Sequence, residues 1–192
     1  MTIICAIDDQ HANCVWLGSN DRTMFGSLVG PSISRKWTVF GDWVIGLSGS
    51  GPKLDALEMM RKKFPKTSHA IEVAKFMRDA YEEYDYGDKS GTVKKFSGLG
   101  IIAHKSGQCW DFDTTLCVNP VESGRFWARG SGMKVAIGAG AVLFDRKPSG
   151  DQQMRDLVRR AVEITIANET DCPGTPLIQK FDRSGELTDE NP

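Results

Sequence analysis

At 192 residues, with 40% hydrophobic and 26% charged side chains, the chain is sized for one domain of roughly 100–200 residues with a buried core. Lys plus Arg number 24 against 25 Asp plus Glu, a formal net charge of −1, which gives no global attraction to nucleic acid or anionic lipid. No apolar run approaches the about 18 residues of a membrane-spanning helix, so neither nucleic acid nor membrane is an expected partner.

The first fifty residues read as β-structure. Thr2 to Ile7 is a short β-branched run, Asp8 to His11 a turn signal and Ala12 to Gly18 a second run, together a hairpin. Gly26 to Ser34 is rich in Gly, Ser and Pro and reads as a loop; Trp37–Phe40 and Trp43–Leu47 follow as strands around Gly41-Asp42. Leu54, Leu57, Met60 and Phe64 recur at helical spacing until Pro65 closes the run. A second helix carries Ile71, Ala74, Met77, Tyr81 and Tyr84 on one stripe, with Ser68 as its expected N-cap.

Tyr84 to Lys95 is polar and reads as a loop. Phe96–His104 and Gln108–Phe112 flank the turn Lys105-Ser106-Gly107, Val118–Ser123 reads as a loop, and Phe126–Ala128 as a short strand. Gly130-Ser131-Gly132 opens an apolar helix, Met133–Phe144, and Asp151–Asn168 forms another with Met154, Leu157, Val158 and Ala161 on one face. Leu177–Phe181 is a last strand. Residues 1–182 therefore form one domain, and 183–192 is a polar tail expected to fray. Blocks of strands and helix pairs in this order predict an α+β fold: a four-layer αββα sandwich of two antiparallel sheets flanked by helical pairs.

The five cysteines are an odd number without a C-x-x-C pair, and the first nine residues lack a basic, then apolar, secretory pattern. Both point to reduced thiols in the cytoplasm. The three histidines have no metal-ligand spacing, so no metal or other cofactor is expected.

Thr2 follows the initiator Met, and threonine is small enough for Met1 removal to be expected. A threonine with a free α-amine is nucleophile and base in one residue: the hydroxyl attacks a carbonyl and the amine, with a reference pKa of about 7.7–8.0, takes the proton. Thr2 opens a β-hairpin. After it come Gly18 to Gly26, Arg35-Lys36, Val44-Ile45-Gly46-Leu47-Ser48-Gly49, Gly130-Ser131-Gly132 and Asp171, in that order. Taken together this set resembles the proteasome β-subunit family, most closely its bacterial HslV-like branch, over nearly the whole chain from Thr2 to about Phe181.

The resemblance implies the N-terminal nucleophile hydrolase fold and a role for each matched residue. Thr2 matches the nucleophile and Lys36 the lysine beside its hydroxyl. Gly46 matches the glycine whose N–H faces the oxyanion, and such a donor is typically worth about 2.7–4 kcal/mol of barrier. Ser131 matches the serine that orients the terminal amine, and Asp171 the aspartate that supports it. Where the family carries an aspartate toward the lysine, this chain has Asn20, with Asp21 adjacent. The family's Asp-x-x-Ser-Gly becomes Asp171-Cys172-Pro173-Gly174-Thr175. Thr23, Met24, Val44 and Ser48 fall near pocket-lining positions, with Ser34 close by.

Three functions are compatible with these residues. A threonine-dependent endopeptidase would assemble into stacked homo-oligomeric rings of about 12–14 subunits and cleave unfolded polypeptides. Any ATP-driven unfoldase feeding the rings would be a separate chain, since no G-x-x-x-x-G-K-[ST] motif is present. A catalytically weak or inactive ring-forming homologue would keep the fold alone. A small-molecule amidase would keep the attack chemistry without the chamber.

Overall fold

The computed structural model describes residues 2–9, 12–22, 24–25, 28–29, 36–49, 52–88, 95–96, 98–145, 148 and 150–190. The expected first hairpin forms: β1 (Ile3–Asp9) and β2 (Cys14–Asn20) pair antiparallel, with Ile4 opposite Ser19 and Asp9 opposite Cys14. Both strands are buried end to end, because one sheet face meets helices and the other meets a second sheet. That is why they read as continuous apolar runs instead of alternating ones. A two-residue turn joins β3 (Trp37–Phe40) to β4 (Trp43–Gly49).

The first helical pair is α1 (Pro52–Met59) and α2 (Ala70–Glu83); a separate 3-10 turn at Arg61–Lys63 interrupts the single run expected up to Phe64. The helical pairs follow the predicted stripes except in α2, where Ile71 is 68% exposed and Ala70, Val73 and Phe76 join Ala74, Met77 and Tyr81 on the buried face. Between the pairs run β5 (Gly98–His104), β6 (Cys109–Phe112), β7 (Val118–Pro120) and β8 (Trp127–Gly130). The second pair is α3 (Met133–Phe144) and α4 (Asp151–Asn168), and the chain ends in β9 (Pro176–Phe181) and β10 (Leu187–Asp189).

One sheet has the order β8-β1-β2-β9-β10 and the other β7-β6-β5-β4-β3, antiparallel throughout. Three apolar clusters mark the contacts between layers. Ile3, Cys5, Ile7 and Trp16 pack on Leu157, Val158 and Val162 of α4. Ile45, Leu47 and Ile102 pack on Leu57, Val73 and Met77 of the first helical pair. Between the sheets, Ile4, Ala6, Val15 and Leu17 meet Trp37, Val44, Ile101 and Ala103. The layers therefore run helices, sheet, sheet, helices, as the pattern predicts. Arg129 of β8 reaches across to an ion pair with Asp111 of β6.

Four local expectations are corrected. Helix α2 begins one residue later than a Ser68 cap implies, with His69 at the N-cap position and no side-chain cap bond. Val118–Pro120 is an edge strand on β6, where Pro120 needs no donor on its outer side. Within the Tyr84–Lys95 stretch, Gly87–Asp88 pairs with Lys95–Phe96. Residues 183–192 are not wholly a frayed tail: Asp182 accepts the N–H groups of Ser184 and Glu186, a tight turn forms, and Leu187–Asp189 pairs with β9. No helix among the described residues is long and apolar enough to cross a membrane.

Candidate active site

The register of the first sheet places Thr2 among three chain segments. Ile3 lies opposite Gly130 of β8, and Ile4 lies opposite Ser19 of β2, so Asn20 comes level with Thr2 and Ile3. The Thr2 hydroxyl donates to Asn20 Oδ1 at 2.6 Å, and the Ile3 N–H donates to the same oxygen at 3.0 Å. The Asn20 Nδ2 group donates to the carbonyls of Arg22 (2.9 Å) and Pro173 (2.8 Å). Asn20 is fully buried and both ends of its amide are satisfied.

Ser131 reaches Thr2 through the backbone: its N–H donates to the Thr2 carbonyl at 3.1 Å. Gly130 just before it has φ +115, and a Cβ there would stand 2.0 Å from the Thr2 carbonyl oxygen and 2.8 Å from Ser48 Oγ. Ser48, near the end of β4 in the facing sheet, thus brings a hydroxyl to the same spot. Ser131 Oγ lies 3.2 Å from Cys172 Sγ. Asp171, half-buried one residue earlier, makes no hydrogen bond to Ser131 or Thr2 among the described residues, so the loop before β9 meets Ser131 through Cys172 instead.

Lys36 enters immediately before β3 and is 5% exposed. Burial lowers its pKa to about 8, with the Asp21 carboxylate and the Cys172 thiol opposing that shift. Asp21 is itself clamped: the Thr175 N–H donates to its Oδ1 at 2.8 Å, Thr175 Oγ1 donates to its Oδ2 at 2.9 Å, and its own N–H donates to the Thr175 carbonyl at 3.0 Å. Gly174, at φ +115, would place a Cβ 2.0 Å from Asp21 Oδ1.

Gly46 departs from the role expected for it. The Leu47 N–H donates to the Lys36 carbonyl on the β3 side at 2.9 Å. Strand alternation therefore turns the Gly46 N–H and carbonyl the other way, toward β5, where Gly46 lies opposite Ile101 and its oxygen packs against Gly100. Its missing side chain serves packing: a Cβ would stand 2.2 Å from the Trp37 ring. Val44 is fully buried between the sheets and cannot line a substrate pocket. Met24 pairs with Val29 in a two-residue ladder; Thr23 and Ser34 lie outside the described residues.

Two polar features among the described residues lie at the far end of β1. A cavity of about 310 Å³ is lined by Asp8, Asp9, Asn13, Ser106 and Ser123 among others, and is separated from Thr2 by the strand's length. Asp9, Cys14 and Asp151 converge within 4.8 Å. The Lys180 ammonium bonds Asp151 there, and burial pushes the Cys14 thiol up to about 12, so a cation of the chain already stands at this cluster. All five cysteines are free, four of them buried and Cys117 exposed.

Chemically, the site offers a secondary alcohol held by a hydrogen bond to Asn20, a buried lysine, two serines and a clamped carboxylate. No known protein-family pattern and no curated sequence matches the chain. Its fold does match solved structures. Over 100% of both chains it is similar to Thiobacillus denitrificans BPH, with a TM-score of 0.71 at 17% identity. It is likewise similar to Thiobacillus denitrificans BPH in complex with epoxomicin, with a TM-score of 0.72 at 16% identity over 100% of both chains.

Proposed function

We propose that the chain is a threonine-type peptidase subunit of the proteasome β-subunit kind, with the N-terminal nucleophile hydrolase fold. The observation that carries this reading is the Thr2 hydroxyl, held 2.6 Å from Asn20 at the mouth of β1. The fold shared with a protein that binds epoxomicin, a proteasome inhibitor, supports it.

In this reading removal of Met1 turns the Thr2 nitrogen into a primary amine. Thr2 itself is 1% exposed. The hydroxyl adds to the scissile carbonyl as the amine takes its proton, giving a tetrahedral oxyanion. In this reading the Lys36 ammonium supplies charge, and the Ser48 hydroxyl a donor, to that oxyanion. Collapse breaks the C–N bond, and the proton held by the terminal amine passes to the leaving amine. An acyl ester remains on Thr2. Water, deprotonated by the same amine, then attacks the ester and frees the acid and the hydroxyl.

The subunit would work in the cytoplasm within stacked homo-oligomeric rings of about 12–14 copies. Its substrates would be unfolded polypeptides, with an ATP-driven unfoldase supplied by another chain. An inactive ring-forming homologue is the second reading, favoured by Asn20 in place of a carboxylate and by the burial of Thr2. Intact-mass analysis after incubation with epoxomicin separates the two. One adduct per chain, located on Thr2 and lost in Thr2→Ala, is expected. A uniform Met1 start with no adduct would overturn the enzymatic reading.

A further inference from the structure

The four hydrogen bonds of Asn20 fix which way its amide lies. Carbonyl oxygens carry no protons, so the side facing Arg22 and Pro173 must be Nδ2, and the side facing the Thr2 hydroxyl and the Ile3 N–H must be Oδ1. A carboxylate at this position would set one oxygen against two carbonyl oxygens in a fully buried place, which is repulsive at both contacts. The negative charge stands next door. Asp21 is held by the main chain and hydroxyl of Thr175, on a turn whose Gly174 leaves its oxygen the necessary space. Cys172, Pro173, Gly174 and Thr175 thus hold, in sequence, Ser131, Asn20 and Asp21.

We infer that position 20 is built for a neutral amide: Asn20 orients the Thr2 hydroxyl through an oxygen that cannot take its proton, the carbonyls of Arg22 and Pro173 exclude a carboxylate there, and the site's negative charge is carried by Asp21 on the Gly174–Thr175 turn. Asn20 and Asp21 are then positioning residues for nucleophile and ammonium respectively. Their roles at the nucleophile rest on the peptidase reading; the exclusion of a carboxylate at position 20 does not. Asn20 is by this account an integral part of the site and no remnant of a lost aspartate.

The experiment has two arms. In the first, unfolding temperature is followed from pH 4 to 8 for the wild type and Asn20→Asp. The new carboxyl faces two carbonyls, with Asp21 and Arg22 on its own segment, Lys36 ahead of β3, Asp171 and Cys172 on the loop before β9, and the Thr2 amine after processing. Burial and the carbonyls raise its folded pKa above the unfolded value of about 3.9. Asn20→Asp therefore loses stability as pH rises above about 4 and levels off only past the folded pKa. A gap to the wild type that widens from pH 4 to 8 is expected; parallel curves would overturn the inference.

In the second arm, the rate of adduct formation at Thr2 is measured against pH for wild type, Asn20→Asp, Asp21→Asn and Thr175→Val. Asn20→Asp should be slower by about tenfold or more near pH 7.5, the scale of one lost or inverted hydrogen bond to a buried group. Asp21→Asn preserves shape while removing charge, and Thr175→Val loosens the exposed clamp. Both should move the alkaline limb of the profile to lower pH, because Lys36 then loses its proton sooner. A faster Asn20→Asp, or an Asp21→Asn profile that does not move, would overturn the assignment. A wild type that forms no adduct sinks the peptidase reading, and the unfolding arm still decides what position 20 accepts.

Discussion

Gly130 stands so close to Thr2 that a Cβ there would lie 2.0 Å from the Thr2 carbonyl oxygen. The same backbone has φ +115, a conformation that L side chains rarely adopt. Two independent constraints therefore require glycine where β8 passes the nucleophile, and the next residue uses that closeness to donate its N–H to Thr2.

Gly130→Ala is expected to fold less stably by about 3 kcal/mol, the upper part of the range for a strained backbone site. For a domain of this size that is roughly 6–12 °C in Tm. The Thr2 carbonyl must move away, so adduct formation at Thr2 should fall further than the lost stability explains at temperatures well below unfolding. Calorimetry paired with labelling at 20 °C checks this, and unchanged labelling would show that the contact serves the sheet alone.

Thiol accessibility separates a threonine nucleophile from a cysteine one. Cys5, Cys14, Cys109 and Cys172 are buried and Cys117 is exposed. Burial pushes the thiols of Cys5, Cys14, Cys109 and Cys172 above their ordinary value, which removes the reactive thiolate. Iodoacetamide on the folded protein should modify Cys117 alone, and the other four only in denaturant. The modified protein should keep its full rate of adduct formation. A loss of that rate on modification would place a cysteine in the chemistry.

The fold was largely legible because its signals are local. The hairpins declared themselves by β-branched runs around short turns, and α3 and α4 by apolar spacing, to within a residue or two. The edge pairings of Val118–Pro120 and Leu187–Asp189 were not legible. Each is only three residues long and pairs with the strand just before it across a short turn, Phe112 opposite Val118 and Phe181 opposite Leu187, so it buries too little to show an alternating pattern of its own. At the site, chain order pointed to Thr2, Asn20, Lys36 and Ser131, and the structure brings them to one end of the sandwich. It could not show that the carbonyls of Arg22 and Pro173 read the Asn20 amide, since a backbone contact leaves no trace in residue type. Gly46 misled for a related reason. Its lack of a side chain answers the Trp37 ring, while the direction of its N–H follows from the two-residue turn between β3 and β4.

Lys36 sets function against stability. Its ammonium is 5% exposed and its pKa lies near 8, below the ordinary 10.5, because burial outweighs the pull of Asp21 and Cys172. Between about pH 8 and 10.5 the unfolded chain binds this proton and the folded chain does not, so this group makes stability rise with pH across that window; below pH 8 the folded state bears the charged form at a penalty. Lys36→Met fills similar space without charge. It should therefore unfold later than the wild type at pH 7, by on the order of 1–3 kcal/mol, with the advantage shrinking as pH rises above 8. The same variant should lose adduct formation at Thr2, because no ammonium is left to steady the oxyanion. In the wild type, the labelling rate should fall as pH passes about 8 and Lys36 gives up its proton. Denaturant melts at pH 7 and pH 9.5 test the first claim, and a Lys36→Met protein less stable than wild type at pH 7 would refute it. A labelling rate that climbs smoothly through pH 9.5 would show that the ammonium takes no part in the reaction.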